Sequence, residues 1–177
     1  MAATPSRMAN LETVKEAVMA IKGARADNGG ITPHLMVRGG RNAIEFYTRA
    51  FGATVLYESA MPHFDGLHAH LQIGRTMIMI TDEQPPGPNS VMTVASPESV
   101  GTTTTILEMY VDDVDVVYQR AVDAGGKPMM PISDAFYGDR TGWVADPFGH
   151  VWAISTVKEE LTPDQVHERM TAAFKRM

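Results

Sequence analysis

Six histidines, at positions 34, 63, 68, 70, 150 and 167, are the only side chains in this sequence that titrate close to neutrality, because it contains no cysteine. An imidazole at that pKa serves either as a general acid or base or, with its lone pair free, as a metal ligand. Without thiols there is no disulfide framework, no thiolate zinc site and no cysteine nucleophile, so a bound metal would have to sit on His, Asp, Glu and water. Strand-like alternation groups the histidines. In Leu67-His68-Ala69-His70-Leu71-Gln72-Ile73 the apolar residues take one face and leave His68, His70 and Gln72 on the other. His34 shares a face with Thr32 and Met36 in the run Ile31 to Val37, and Glu108 shares one with Ile106 and Tyr110 in Thr105 to Val111. His63 falls in a loop and His167 on a C-terminal helix, both surface positions by default. His150 closes the turn Asp146-Pro147-Phe148-Gly149-His150 and is expected to be exposed.

The elements that must position these groups follow from periodicity. A helical stripe with Asn10 as its cap runs from Asn10 to about Arg25 and ends in Asp27-Asn28-Gly29-Gly30. The run 31–37 then reads as a strand, Arg41 to Phe51 as a helix stopped by Gly52, and Thr54–Glu58, Leu67–Ile73 and Met77–Thr81 as three further strands. Gln84 to Thr104, with Pro85-Pro86-Gly87-Pro88, lacks periodicity and reads as a linker or partner-contacting loop. The pattern then repeats. Val111 falls on Val37, Gly125 on Gly52, and Val151-Trp152-Ala153-Ile154 on Ile78-Met79-Ile80-Thr81. Thr162-Pro163-Asp164-Gln165 is a capping box that opens a last helix. The organisation is thus an N-terminal helical extension (1–30), a βαβββ module (31–83), a Pro-rich linker (84–104), a second βαβββ module (105–157) and a C-terminal helix (158–177).

The chain has 177 residues, 15 Lys and Arg against 21 Asp and Glu, and a net charge of −6. That size can bury a core without staples, and the acidic balance provides no footprint for a nucleic-acid backbone. Its apolar runs fall well short of the roughly 20 residues of a membrane span. Met1 to Met8 carries no apolar core of the kind a signal peptide needs, so the expected setting is cytoplasmic. Val37-Arg38-Gly39-Gly40-Arg41, just before a helix, could hold an anion but lacks the lysine and spacing of a phosphate loop.

The two repeats, the helix Asn42 to Ala53, and the motifs His68 to Gly74, Thr81-Asp82-Glu83, Tyr110 to Asp115 and Phe136 to Gly142 running into Asp146 to Trp152 resemble the vicinal oxygen chelate superfamily, and within it the PhnB-like branch. The resemblance spans about residues 31 to 176. It implies an α+β fold in which two βαβββ units curl into half-barrel sheets around a concave pocket, with the N-terminal and C-terminal helices added. In metal-using members four ligands come from the first and last strands of each unit. Those positions fall here on Thr32, Met79, Ile106 and Ala153, of which only Thr32 offers even a feeble donor, so no cofactor is expected at the usual slots.

Two uses of the remaining groups stay open. One is a small-molecule binder, a homodimer enclosing an aromatic or hydrophobic compound, with His70, Gln72, Met77, Met79, Tyr110, Tyr137 and Trp143 as contacts. The other is a lyase or isomerase with Glu108 and His34 or His68 as acid and base, or with a divalent metal relocated onto these side chains. His34 and Glu108 occupy equivalent places in the two repeats, and a contact between them is the simplest structural expectation. Asp139 and Arg140 are expected to form an ion pair at the pocket edge, with no chemistry assigned to it.

Overall fold

A computed structural model describes residues 30–61, 65–84 and 94–175. The expected helix at 10–25, residues 85–93 of the Pro-rich stretch and His63 lie outside the described residues. Strand β1 (His34–Val37), helix α1 (Gly40–Phe51) and strands β2 (Thr54–Ala60), β3 (Leu67–Ile73) and β4 (Thr76–Asp82) make the first unit. Its sheet runs β1-β4-β3-β2, with β1 parallel to β4 and the other pairs antiparallel. Strand β5 (Ile106–Tyr110), helix α3 (Val114–Asp123) and strands β6 (Lys127–Asp134), β7 (Asp139–Ala145) and β8 (Val151–Val157) repeat that plan in the order β5-β8-β7-β6. Between the units the expected featureless linker carries a one-turn helix, α2 (Pro97–Val100), capped by the Ser96 side chain. Helix α4 (Pro163–Phe174) begins with the capping box legible in Thr162 and Gln165.

Alternation along the strands decides which face is covered. Leu35 and Val37, Leu67, Ala69 and Leu71, and Ile78 and Ile80 are buried beneath α1. Val144, Trp152 and Ile154 are buried on the α3 side of the second sheet. Both helices lie on the same side of the molecule and pack on each other: Arg120 on α3 donates from Nε to the Ala50 carbonyl on α1 at 2.6 Å. An aromatic cluster of Phe46, Tyr47, Phe51, Phe148 and Trp152 fills the joint between the units.

At the centre of that joint is the buried Asp146. One carboxylate oxygen accepts from the Tyr47 hydroxyl at 2.8 Å and from Trp152 Nε1 at 3.0 Å, and the other from the amides of Phe148 and His150 at 3.0 and 2.9 Å. Burial nonetheless pushes its carboxyl above the usual range, and it pushes the Tyr47 hydroxyl well up as well. His150 corrects the sequence expectation. It is buried, and its Nε2 lies 2.9 Å from the Met36 carbonyl of the first unit, because the turn folds inward onto β1 instead of out to solvent.

A second correction concerns the start of α1. Gly39 supplies no side-chain cap, and the orphan amides of Gly39 and Gly40 donate to Asp82 Oδ1 at 2.8 Å each while Leu67 N donates to Oδ2. The carboxylate at the end of β4 thus occupies the anion position that the Gly-Gly sequence suggested for an external ligand.

Candidate functional site: two uncovered sheet faces

Among the described residues no helix covers the sheet faces turned away from α1 and α3, and these faces carry most of the expected site residues. On the first sheet, register places His34 beside Met79, Met79 beside His70, and His70 beside Tyr57; the next row is Met36, Thr81, His68 and Ser59. The histidines expected to share a face do so, and they touch. His34 Nε2 lies 2.7 Å from Thr81 Oγ1, Thr81 Oγ1 lies 2.7 Å from His68 Nδ1, and His68 Nε2 lies 3.0 Å from His70 Nε2. Because a hydroxyl has one proton, Thr81 donates to at most one of the two imidazoles and accepts from the other, with the tautomers setting the direction. The Tyr57 ring packs against both His68 and His70. Burial, with the neighbouring His70, lowers the pKa of His34, and burial with His70 and His34 lowers that of His68, so the surroundings favour the neutral form of both rings. Gln72 and Met77 continue the face as neighbours in register, with Gln72 turned to donate to the Gly74 carbonyl and Met77 buried.

On the second sheet the rows are Glu108, Ala153, Trp143 and Met130, then Tyr110, Ser155 and Thr141. Ser155 Oγ lies 3.2 Å from Glu108 Oε1 and 2.9 Å from Thr141 Oγ1. Tyr110 donates its hydroxyl to Asp139 Oδ2 at 3.0 Å; burial, that bond and the charges of Asp139 and Glu108 push its pKa up to about 12. Tyr137 is raised by the same kind of surroundings: burial, then Glu108 and Asp139. The second face is therefore anionic and hydroxyl-rich with aromatic rings on it, whereas the first is imidazole-rich.

The expected His34–Glu108 contact does not form. Equivalence in the repeat puts the two on different sheets, where His34 engages Thr81 and Glu108 engages Ser155. Nor do Asp139 and Arg140 pair. As neighbours on a strand they face opposite ways, so Asp139 turns to Tyr110 while Arg140 makes a bidentate pair with Asp115 at 2.8 Å and reaches Asp134 at 3.1 Å. His167 lies on the exposed α4 as expected. Among the described residues, no group of three or more His, Asp or Glu is arranged to hold a metal ion. Of the four usual ligand slots, Met79 and Ala153 lie on uncovered faces in register with His34 and Glu108.

A cavity of about 360 Å³ opens between the units, lined by Arg75, Ile78, Glu108, Tyr110 and Trp152 among others. It includes two expected contacts, Glu108 and Tyr110, and one residue that sequence reasoning missed, Arg75 in the β3–β4 turn. Only the strand-to-strand approach of the two units could have revealed it. His34 instead lines a cavity of about 410 Å³ together with Thr102 to Thr105 and the buried His150. Among the described residues no helix is long and apolar enough to cross a membrane.

Two βαβββ units with helices on one side and open sheet faces on the other define a vicinal-oxygen-chelate type of protein. The chain belongs to the Glyoxalase/Bleomycin resistance protein/Dioxygenase superfamily, whose model matches residues 31–154. It is 35% identical over 144 residues to an uncharacterized protein of Mycobacterium tuberculosis (strain ATCC 25618 / H37Rv), Rv0887c, covering 80% of this chain and 82% of the relative. Among solved structures it is similar to TioX from Micromonospora sp. ML1, with 25% identity and a TM-score of 0.55 over 72% of this chain and 97% of that one. A PhnB protein from Bacillus cereus shares the fold at 20% identity and a TM-score of 0.53, over 72% and 98% of the two chains.

Proposed function

We propose that the protein binds a small planar organic molecule, aromatic or hydrophobic, on the open face of the second sheet and in the cavity that adjoins it. The observation that carries this reading is Tyr110. It is 59% exposed, yet its hydroxyl is fixed on the buried Asp139, in register beside the row that holds Glu108 and Trp143. A held aromatic ring left open to solvent is a preorganised stacking surface, since little side-chain freedom remains to be lost on binding. Glu108 and the Ser155–Thr141 hydroxyl pair supply the few polar groups that orient a ligand. Neither Met79 nor Ala153 offers the nitrogen or oxygen donor usual for a divalent metal, so this reading relies on shape, stacking and hydrogen bonding.

The reading includes a homodimer. Tyr57 on β2 and Met130 on β6, in register with His70 and Trp143, are exposed, and a second copy laid over these faces would enclose the ligand. The test uses the two tryptophans. Trp143 stands on the open face, whereas Trp152 is buried in the joint and borders the adjoining cavity. A thermal-shift screen with planar aromatic compounds should yield a stabilising ligand whose affinity falls in Trp143→Phe and in Tyr110→Phe, and whose quenching of tryptophan fluorescence is weaker in Trp143→Phe than in the wild type. A ligand whose affinity is unchanged in both Trp143→Phe and Tyr110→Phe, or a screen with no stabilising compound, would overturn the proposal.

A further inference from the structure

The imidazole chain on the first sheet takes no part in that reading, and its geometry has a use of its own. We propose that His68 and His70 form a two-histidine chelate for a divalent transition-metal ion of the Zn²⁺, Ni²⁺ or Cu²⁺ class. Three observations carry it. The residues stand two apart on β3, so they project from the same face, and among the described residues no helix covers that face. Their Nε2 atoms are 3.0 Å apart. Two nitrogens bound to one ion at about 2.0–2.1 Å lie about 2.9 Å apart for a right angle at the metal and about 3.4 Å for a tetrahedral one, so the pair is already spaced for a common ion. Third, Thr81 Oγ1 sits 2.7 Å from His68 Nδ1, where it can accept a hydrogen bond from the Nδ1–H tautomer, the one whose lone pair lies on Nε2 toward His70. A hydrogen-bonded partner on the far nitrogen is what fixes a ligating imidazole in its tautomer and orientation.

The ring planes of His68 and His70 stand nearly perpendicular, at 87°, and Tyr57 packs on both, which limits their rotation. His34 enters through Thr81: it can take the hydroxyl proton and so orient Thr81 as an acceptor toward His68, which makes it a positioning residue. With two protein ligands the site is open, and water or an oxygen-bearing molecule on the sheet face would complete the coordination. It lies on the third strand of its unit, away from the first- and last-strand slots at Thr32, Met79, Ile106 and Ala153, and it does not involve Glu108.

The test is metal binding by the full chain, which requires no organic ligand and so stands or falls independently of the reading above. After chelator treatment, the protein is titrated with Zn²⁺ and with Cu²⁺ by calorimetry, and imidazole coordination is followed by the nitrogen hyperfine pattern of bound Cu²⁺. The expected result is one ion per chain, a two-nitrogen pattern, and affinity at least tenfold weaker in His68→Gln and in His70→Gln. His34→Gln should weaken it only a few-fold, and His167→Gln should leave it unchanged. Circular dichroism verifies that each variant is folded, and His70→Asn serves as the second variant should His70→Gln not fold. Binding that survives both His68→Gln and His70→Gln, or that is lost in His167→Gln instead, would overturn the proposal, as would absence of binding in the wild type.

Discussion

Replacing Asp146 by Asn tests whether this carboxylate is what locks the two units together. The substitution keeps size and shape but exchanges one acceptor oxygen for an amide that can only donate. Asp146 faces four donors: the Tyr47 hydroxyl and Trp152 Nε1 on one oxygen, and the Phe148 and His150 amides on the other. The least costly arrangement keeps the amide oxygen on the two backbone N–H groups and turns the NH₂ toward Tyr47 and Trp152. Tyr47 can rotate its hydroxyl and accept, but an indole N–H has no acceptor capacity, so Trp152 is left as a buried, unmatched donor. An orphaned buried donor costs about 1–3 kcal/mol, and the two backbone bonds also lose their charge-assisted strength, for a total of about 2–4 kcal/mol. Relief of the burial cost of a charge offsets part of this, since the carboxyl is pushed up in the fold. In a chain of this size the net loss lowers Tm by roughly 5–12 °C, readable by calorimetry. The decisive measurement is the cycle with Trp152→Phe, which removes the orphaned donor. Asp146→Asn should cost at least about 1 kcal/mol less in the Trp152→Phe background than alone. Strict additivity of the two substitutions would refute the reasoning.

Two further outcomes follow from the same coordinates. Glu83 is held at about 2, against a usual 4.5: partial burial works to raise it, but bonds from the Ser99 hydroxyl, the Ser96 amide and hydroxyl and the Arg38 guanidinium win. Because the folded pKa is depressed, this contribution is fully present above pH 4.5 and is lost as pH falls toward 2; it amounts to about 1–3 kcal/mol. Thermal melts between pH 2 and 6 should show a steep acid limb in the wild type that is flattened in Glu83→Gln, and parallel curves would refute the assignment. Gly149 has φ +86°, and a Cβ there would meet the Glu98 amide nitrogen at 2.6 Å, whereas Gly74, at φ +55°, faces open space. Gly149→Ala should therefore lose about 2–4 kcal/mol against about 1 kcal/mol for Gly74→Ala, the difference being backbone collision over strain. Equal losses in denaturant unfolding would show that α2 yields freely.

The division between what was legible in the sequence and what was not follows the range of the interactions involved. Period-2 alternation in Leu67 to Ile73 placed His68, His70 and Gln72 on one face because side-chain direction on a strand is a local property, and the repeat located both units because each must bury its own helix and sheet. Capping of α4 by Thr162 and Gln165 lies within four residues and was equally readable. His150, Asp82 and Arg75 escaped since their roles arise between elements far apart in the chain: a turn reaching β1, a strand end reaching the start of α1, and a hairpin meeting β5. The His34–Glu108 expectation failed for a reason internal to duplicated folds. A repeat makes two residues equivalent within their own units, so it places them on like positions of two sheets; it brings them together only when those sheets face each other. Here α1 and α3 pack side by side, and among the described residues no helix covers the open face of either sheet. An imidazole-rich face and an anionic aromatic face therefore act as two separate surfaces within one chain. For the same reason the Trp143→Phe and His70→Gln variants should each impair one kind of binding and leave the other intact.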